Sequence, residues 1–166
     1  QYLTGISGSI SSLNYPTTAL VLTYTICVRR EYGYCGIEWS ESAITSPDPF
    51  DLNTGAAAIA LVGGAVASAS NVYLSIPVIN DNVFGKNSIL RIQISGSANG
   101  LYGGLVFSDD NAAIGANIDA TPSSVQAYSM PFTLGVNSYG VTDAAVMGFN
   151  LVYNQLPCGG STHMRI

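Results

Sequence analysis

At 166 residues and 48% hydrophobic, the chain is long enough for one domain with its own core and short for two. Charged residues make up 9%, against roughly 25% in ordinary soluble domains, and the formal charge is −5 with five Lys and Arg in all. So sparse a basic set offers no stripe to neutralise phosphates, which argues against nucleic-acid binding.

No signal peptide is visible at Gln1, as expected of a mature secreted N-terminus, because the leader is removed on export. The first clear strand pattern is Tyr24, Ile26 and Val28 alternating with Thr25, Cys27 and Arg29. Ile37 and Trp39 then alternate with Glu38 and Ser40, a pattern that favours the core for Trp39 over a sugar-stacking or contact surface shared with Tyr32 and Tyr34. If these two segments pair as a hairpin around Gly33, the sulfurs of Cys27 and Cys35 meet across it. That pairing leaves Cys158 to a cysteine upstream of Gln1 or to another chain. No CxxC or Cys/His pattern suggests a metal centre.

The loop between these two cysteines carries Arg29, Arg30, Tyr32 and Tyr34. A hairpin tip kept soluble by its charges is one reading of it. A surface that contacts a partner is the other, with Tyr32 and Tyr34 on one face as the aromatic anchors.

The stretch 54–70 is rich in Ala but carries Gly63, Gly64 and several β-branched residues, so it reads as one or two strands rather than a helix. Its longest apolar run, Ala56 to Ala69, is shorter than the roughly 20 residues of a membrane helix. No membrane span is expected. Period-2 patterning returns at Val72, Leu74, Ile76 and Val78, and at Leu90, Ile92 and Ile94. It returns again at Phe132, Leu134 and Val136, and at Phe149, Leu151 and Tyr153. Turn residues separate these runs, among them Pro47 with Pro49, Asn80 with Asn82, and Asn99 with Gly100. Many short strands with polar turns indicate an all-β antiparallel sandwich over 1–158, followed by a tail at 159–166.

Catalytic chemistry has little material. The single histidine, His163, lies in the tail without a carboxylate nearby in sequence. No Gly-x-Ser-x-Gly elbow is present, and one histidine supports few triads. Glu38 with Glu41, or Asp109 with Asp110, can be imagined as acid/base pairs, although adjacent aspartates before Asn111 fit a turn better. The expectation is a non-enzyme without cofactors.

Three segments carry a family resemblance. The run Ser7-Gly8-Ser9-Ile10-Ser11-Ser12-Leu13-Asn14-Tyr15-Pro16 resembles the opening signature of CUB domains. The segment from Tyr24 through Cys27, Arg29, Arg30, Glu31, Gly33 and Cys35 to Ile37 resembles the variant CUB-like domains of secreted arthropod proteins. So do Pro131–Leu134 and the stretch from Gly148 and Phe149 to Pro157 and Cys158, with Tyr73–Pro77 a fainter match. The resemblance implies a two-sheet jelly-roll sandwich, secreted and extracellular, that binds a protein partner or itself and is not catalytic.

Many CUB domains hold Ca²⁺ on three acidic positions, which map near Asn53, near Asn71 or Val72, and at Asn137. None of these is a carboxylate, so no tight calcium site is expected. The low charge and the surface of small side chains fit either self-association as a homo-oligomer or an unusually neutral monomeric module. A glycan-binding jelly roll and a capsid-like structural protein are the alternatives.

Overall fold

A computed structural model describes residues 1–13, 15–17, 22–44, 47–52, 60–62, 72–77, 100–104, 106–108, 122–138 and 147–159. The described residues form strands and turns, with no helix among them. In chain order the strands are β1 (Tyr2–Leu3), β2 (Ser7–Ser11), β3 (Tyr24–Val28), β4 (Tyr34–Glu41), β5 (Phe50–Asp51) and β6 (Ala60–Val62). They continue with β7 (Val72–Ser75), β8 (Leu101–Gly104), β9 (Val125–Ala127), β10 (Phe132–Ser138) and β11 (Gly148–Pro157).

Two sheets result. One runs β1-β3-β10-β7-β8-β6, and the other β2-β11-β4-β9 with β5 against β11. Every described pairing is antiparallel except β1 with β3, which is parallel. The expected all-β two-sheet sandwich is what the chain forms.

The alternation read from sequence sets the inner faces. Ile26 and Val28 of β3, Phe132, Leu134 and Val136 of β10, and Leu74 of β7 are buried on the first sheet. Ile37 and Trp39 of β4 face them with Phe149, Leu151 and Tyr153 of β11. Each large side chain so buried contributes about 1.5–3 kcal/mol relative to exposure. Two aromatic groups anchor the core. Trp39 lies 5.8 Å from Tyr153, and Phe107 lies 5.4 Å from Phe50 and 5.3 Å from Tyr102. Tilted pairs at such spacings match the ring quadrupoles.

Leu90, Ile92 and Ile94 lie outside the described residues, as do Val78, the Asp109–Asp110 pair, His163 and most of 54–70; within 54–70, Ala60–Val62 is a strand. Of the imagined acid/base pair on β4, Glu41 shares the inward parity of Ile37 and Trp39, whereas Glu38 has the opposite parity. The two do not converge.

The disulfide differs from the sequence reading. Cys35 pairs with Cys158, and Cys27 is the free thiol. The reason is topological: β3 and β4 belong to different sheets, so 29–33 crosses from one sheet to the other instead of closing a hairpin. Cys27 therefore lies beside Thr133 of β10, whereas Cys35 lies at the end of β4 that pairs with β11.

Candidate protein-interaction tip

The crossing segment 29–33 forms one end of the sandwich together with the 4–6 and 128–131 connections, because β3 and β11 end there and β4 and β10 begin there. Gln155 organises this tip. Its position on β11 has the same inward parity as Leu151 and Tyr153, and the residue is buried. Its Nε2 donates to the carbonyls of Gly5 and Arg29, each at 2.8 Å, and its Oε1 accepts the Glu31 backbone N–H at 2.9 Å. All the polar atoms of the amide are thus used to hold two neighbouring loops.

Glu31 closes the second layer. Its carboxylate accepts the Gly5 backbone N–H at 3.0 Å and a two-pronged contact from Arg29, whose Nη2 lies 3.0 Å away. The Gly5 bond, then the Arg29 guanidinium, hold its carboxyl below the usual glutamate range. Tyr34 N–H donates to the Glu31 carbonyl, and Cys158 N–H to the Gly33 carbonyl at 2.8 Å. Gly33 turns the chain at a φ of 87°, where a side chain would be strained. The Cys35–Cys158 bond fastens the same corner covalently.

What this scaffold displays is specific. Tyr32 is 100% exposed, and Met130 and Ile6 are more than half exposed beside it on the neighbouring loops. Arg30 reaches Met130, its Nη1 lying 3.2 Å from the thioether sulfur. Sulfur is a weak acceptor, and among the described residues no carboxylate pairs with this guanidinium. The four residues singled out from sequence therefore play different parts. Arg29 is committed to Glu31, and Tyr34 is half-buried at the start of β4. Arg30 and Tyr32 point their chemistry outward.

The opposite end of the sandwich holds Glu41, Asp48 and Asp51. Glu41 accepts the Phe107 backbone N–H at 2.7 Å. Burial pushes its carboxyl upward, the Phe107 bond opposes this, and the charge of Asp48 adds to the rise. Burial raises the Tyr15 phenol, and Asp48 adds to that rise as well. Of the positions mapped for calcium, Asn53 and Asn71 lie outside the described residues and Val72 is buried. Asn137 donates its amide to Ser75 Oγ at 3.0 Å. Among the described residues, no group of three His, Cys, Asp or Glu is placed to hold a metal ion.

The family model of the animal CUB domain matches residues 1–156. The chain belongs to that family. A solved structure, the full extracellular region of zebrafish Gpr126/Adgrg6, is similar to this CUB domain over 95% of its length, at 14% identity and a TM-score of 0.50. At that identity the likeness concerns the fold. The CUB domain spans 15% of that much longer chain. No curated protein matches the sequence. Animal CUB domains occur in extracellular proteins as interaction modules, and a disulfide fits that setting. No helix among the described residues is long and apolar enough to cross a membrane.

Proposed function

We propose that this CUB domain is a secreted, non-catalytic binding and assembly module whose contact surface is the 29–34 tip. The observation that carries the reading is Tyr32, wholly exposed on a loop fixed from beneath by Gln155, Glu31 and the Cys35–Cys158 bond. An aromatic ring offers large contact area for little rotamer entropy. A loop already ordered before binding spares the ordering cost that a mobile one incurs. Arg and Tyr are also the residue types that concentrate binding energy at protein interfaces.

The test is a photo-crosslinking amino acid in place of Tyr32, with Thr25 on the exposed side of β3 as the control position. The protein is irradiated both as a concentrated pure sample and in extracellular fluid from its source. Protein adducts at position 32 and none at 25 are expected. Equal labelling at both positions, or none at 32, removes the tip as the contact surface. A glycan array bound by the native domain and lost on Tyr32→Ala would turn the reading toward sugar recognition.

A further inference from the structure

Arg29-Arg30 is the sole pair of adjacent basic residues in the sequence. Both residues are exposed, on the loop that crosses between the sheets. Exposed loop tips are where proteases nick folded chains most readily. A protease that cuts after paired arginines needs more than the two guanidiniums, however. It takes its substrate as an extended strand, whose main-chain N–H and C=O groups bond the enzyme on both sides of the bond to be cut.

For cleavage after the pair, that bond is Arg30–Glu31, and in the folded domain the groups around it are occupied. On its N-terminal side, the Arg29 N–H donates to the Leu3 carbonyl at 2.9 Å, and the Arg29 carbonyl accepts from Gln155 Nε2 at 2.8 Å. On its C-terminal side, the Glu31 N–H, which belongs to the scissile amide itself, donates to Gln155 Oε1 at 2.9 Å. The Glu31 carbonyl accepts the Tyr34 N–H at 3.2 Å, so the chain turns there instead of running extended. The Arg29 guanidinium is drawn onto the Glu31 carboxylate. A single buried side chain, Gln155, thus straddles the bond from beneath.

We propose that Arg30–Glu31 is a guarded cleavage site for an extracellular protease specific for paired arginines, with Gln155 as its guard. The site is closed while the loop rests on that amide and is cut when 29–33 lifts away. The reaction is a hydrolysis. Water adds across the Arg30–Glu31 amide, the C–N bond breaks, and Arg30 is left with a carboxylate and Glu31 with an ammonium group. The Cys35–Cys158 bond lies wholly within 31–166 and Cys27 is a free thiol, so no covalent link joins the two pieces. The 1–30 piece stays in place through the pairing of β3 with β10 and of β2 with β11. The inference goes beyond the contact reading and holds whether or not a partner covers the tip.

The experiment treats the full chain with a subtilisin-type protease specific for paired basic residues. Intact mass under denaturing conditions follows the release of fragment 1–30. The native protein is compared with the reduced and alkylated, unfolded chain, with Gln155→Ala and with Val136→Ala. Val136 is buried near the far end of β10, so its truncation lowers stability without touching the loop. Thermal melting confirms that each variant is folded, and Gln155→Asn, whose amide is one carbon shorter, replaces Gln155→Ala if that variant does not fold.

The unfolded chain is cut rapidly at Arg30–Glu31 and the native domain slowly. Gln155→Ala is cut about tenfold or more faster than the native domain, because cleavage tracks the population of the open loop. Val136→Ala stays close to the native rate. An unfolded chain that is not cut, or a native domain cut as fast as the unfolded chain, overturns the proposal. So does a Gln155→Ala rate equal to the native one, which would mean that the amide is not the guard. A Val136→Ala rate equal to that of Gln155→Ala overturns it as well, since opening would then be global. Crosslinking at position 32 is independent of all these rates, so the contact reading and the guarded site fail separately.

Discussion

Gln155 holds Glu31 across 124 residues of sequence, its side-chain oxygen accepting the Glu31 backbone N–H at 2.9 Å. The same amide binds the carbonyls of Gly5 and Arg29. Through one side chain, the last strand of the domain fixes the shape of the loop between β3 and β4. Leaving such partners unmatched costs about 1–3 kcal/mol per buried group, and water can reach part of this site. Gln155→Ala is therefore expected to lower the unfolding free energy by about 2 kcal/mol in urea titrations. Amide exchange at Glu31 should accelerate while that at Leu134, in the middle of β10, follows global stability alone. Unchanged exchange at Glu31 would show that the loop keeps its shape without the amide.

The disulfide gives the next expectation. Cys35 and Cys158 are separated by 123 residues, so their bond removes much conformational freedom from the unfolded chain. Loss of a native disulfide from a small secreted domain costs about 2–5 kcal/mol, so Cys158→Ser should be destabilised on that scale. Cys27→Ser, which breaks no bond, should change stability by less than about 1 kcal/mol. Alkylation of the unfolded, unreduced protein followed by peptide mapping should modify Cys27 alone. Modification of Cys35 or Cys158 under those conditions contradicts the pairing.

The cysteines also show where reading the sequence succeeds and where it stops. β3, β4, β10 and β11 are legible because Ile26, Trp39, Leu134 and Leu151 each belong to a run of large apolar residues at every second position. Trp39 was correctly placed in the core on that pattern. The short spacing between Cys27 and Cys35 looks the same whether the chain turns back in one sheet or crosses to the other. Only the partners of β3 and β4, supplied by β10 and β11 more than a hundred residues away, decide between them. Gln155 escaped for a related reason, since its partners are backbone groups near the N-terminus and in the crossing loop. One signal was available: it is a polar residue at the core-facing parity of Phe149, Leu151 and Tyr153.

Two carboxylates should give stability profiles of opposite slope. The folded pKa of Glu41 is raised, chiefly by burial, so the folded state binds more protons than the unfolded one above pH 4.5. Its contribution is complete below the unfolded value and is lost as the pH rises through the folded pKa. Relative to Glu41→Gln, the native protein should therefore gain melting temperature as the pH falls toward 4.5. Glu31 is lowered by the Gly5 and Arg29 contacts, so its contribution is present above pH 4.5 and is lost as the pH falls through its folded pKa. Relative to Glu31→Gln, the native protein should lose melting temperature below pH 4.5. Equal slopes for the two comparisons would contradict both assignments.

Two glycines face tyrosine rings at similar spacing and should nevertheless respond differently. A Cβ on Gly8 would come within 2.8 Å of Tyr153 Cε1, and one on Gly36 within 2.6 Å of Tyr128 Cε1. Tyr153 is 2% exposed, stacks near Trp39, and donates its hydroxyl to the Thr4 carbonyl. Its ring cannot retreat without opening the core, so Gly8→Ala should cost about 1–3 kcal/mol. Tyr128 is half-buried, and among the described residues its hydroxyl bonds Gln126 on the same β-edge, so its ring can swing outward. Gly36→Ala should then cost clearly less than Gly8→Ala, even though its contact is the tighter one. Chemical unfolding of the two variants decides the matter. A larger loss for Gly36→Ala would show that freedom of the neighbouring ring does not govern the response.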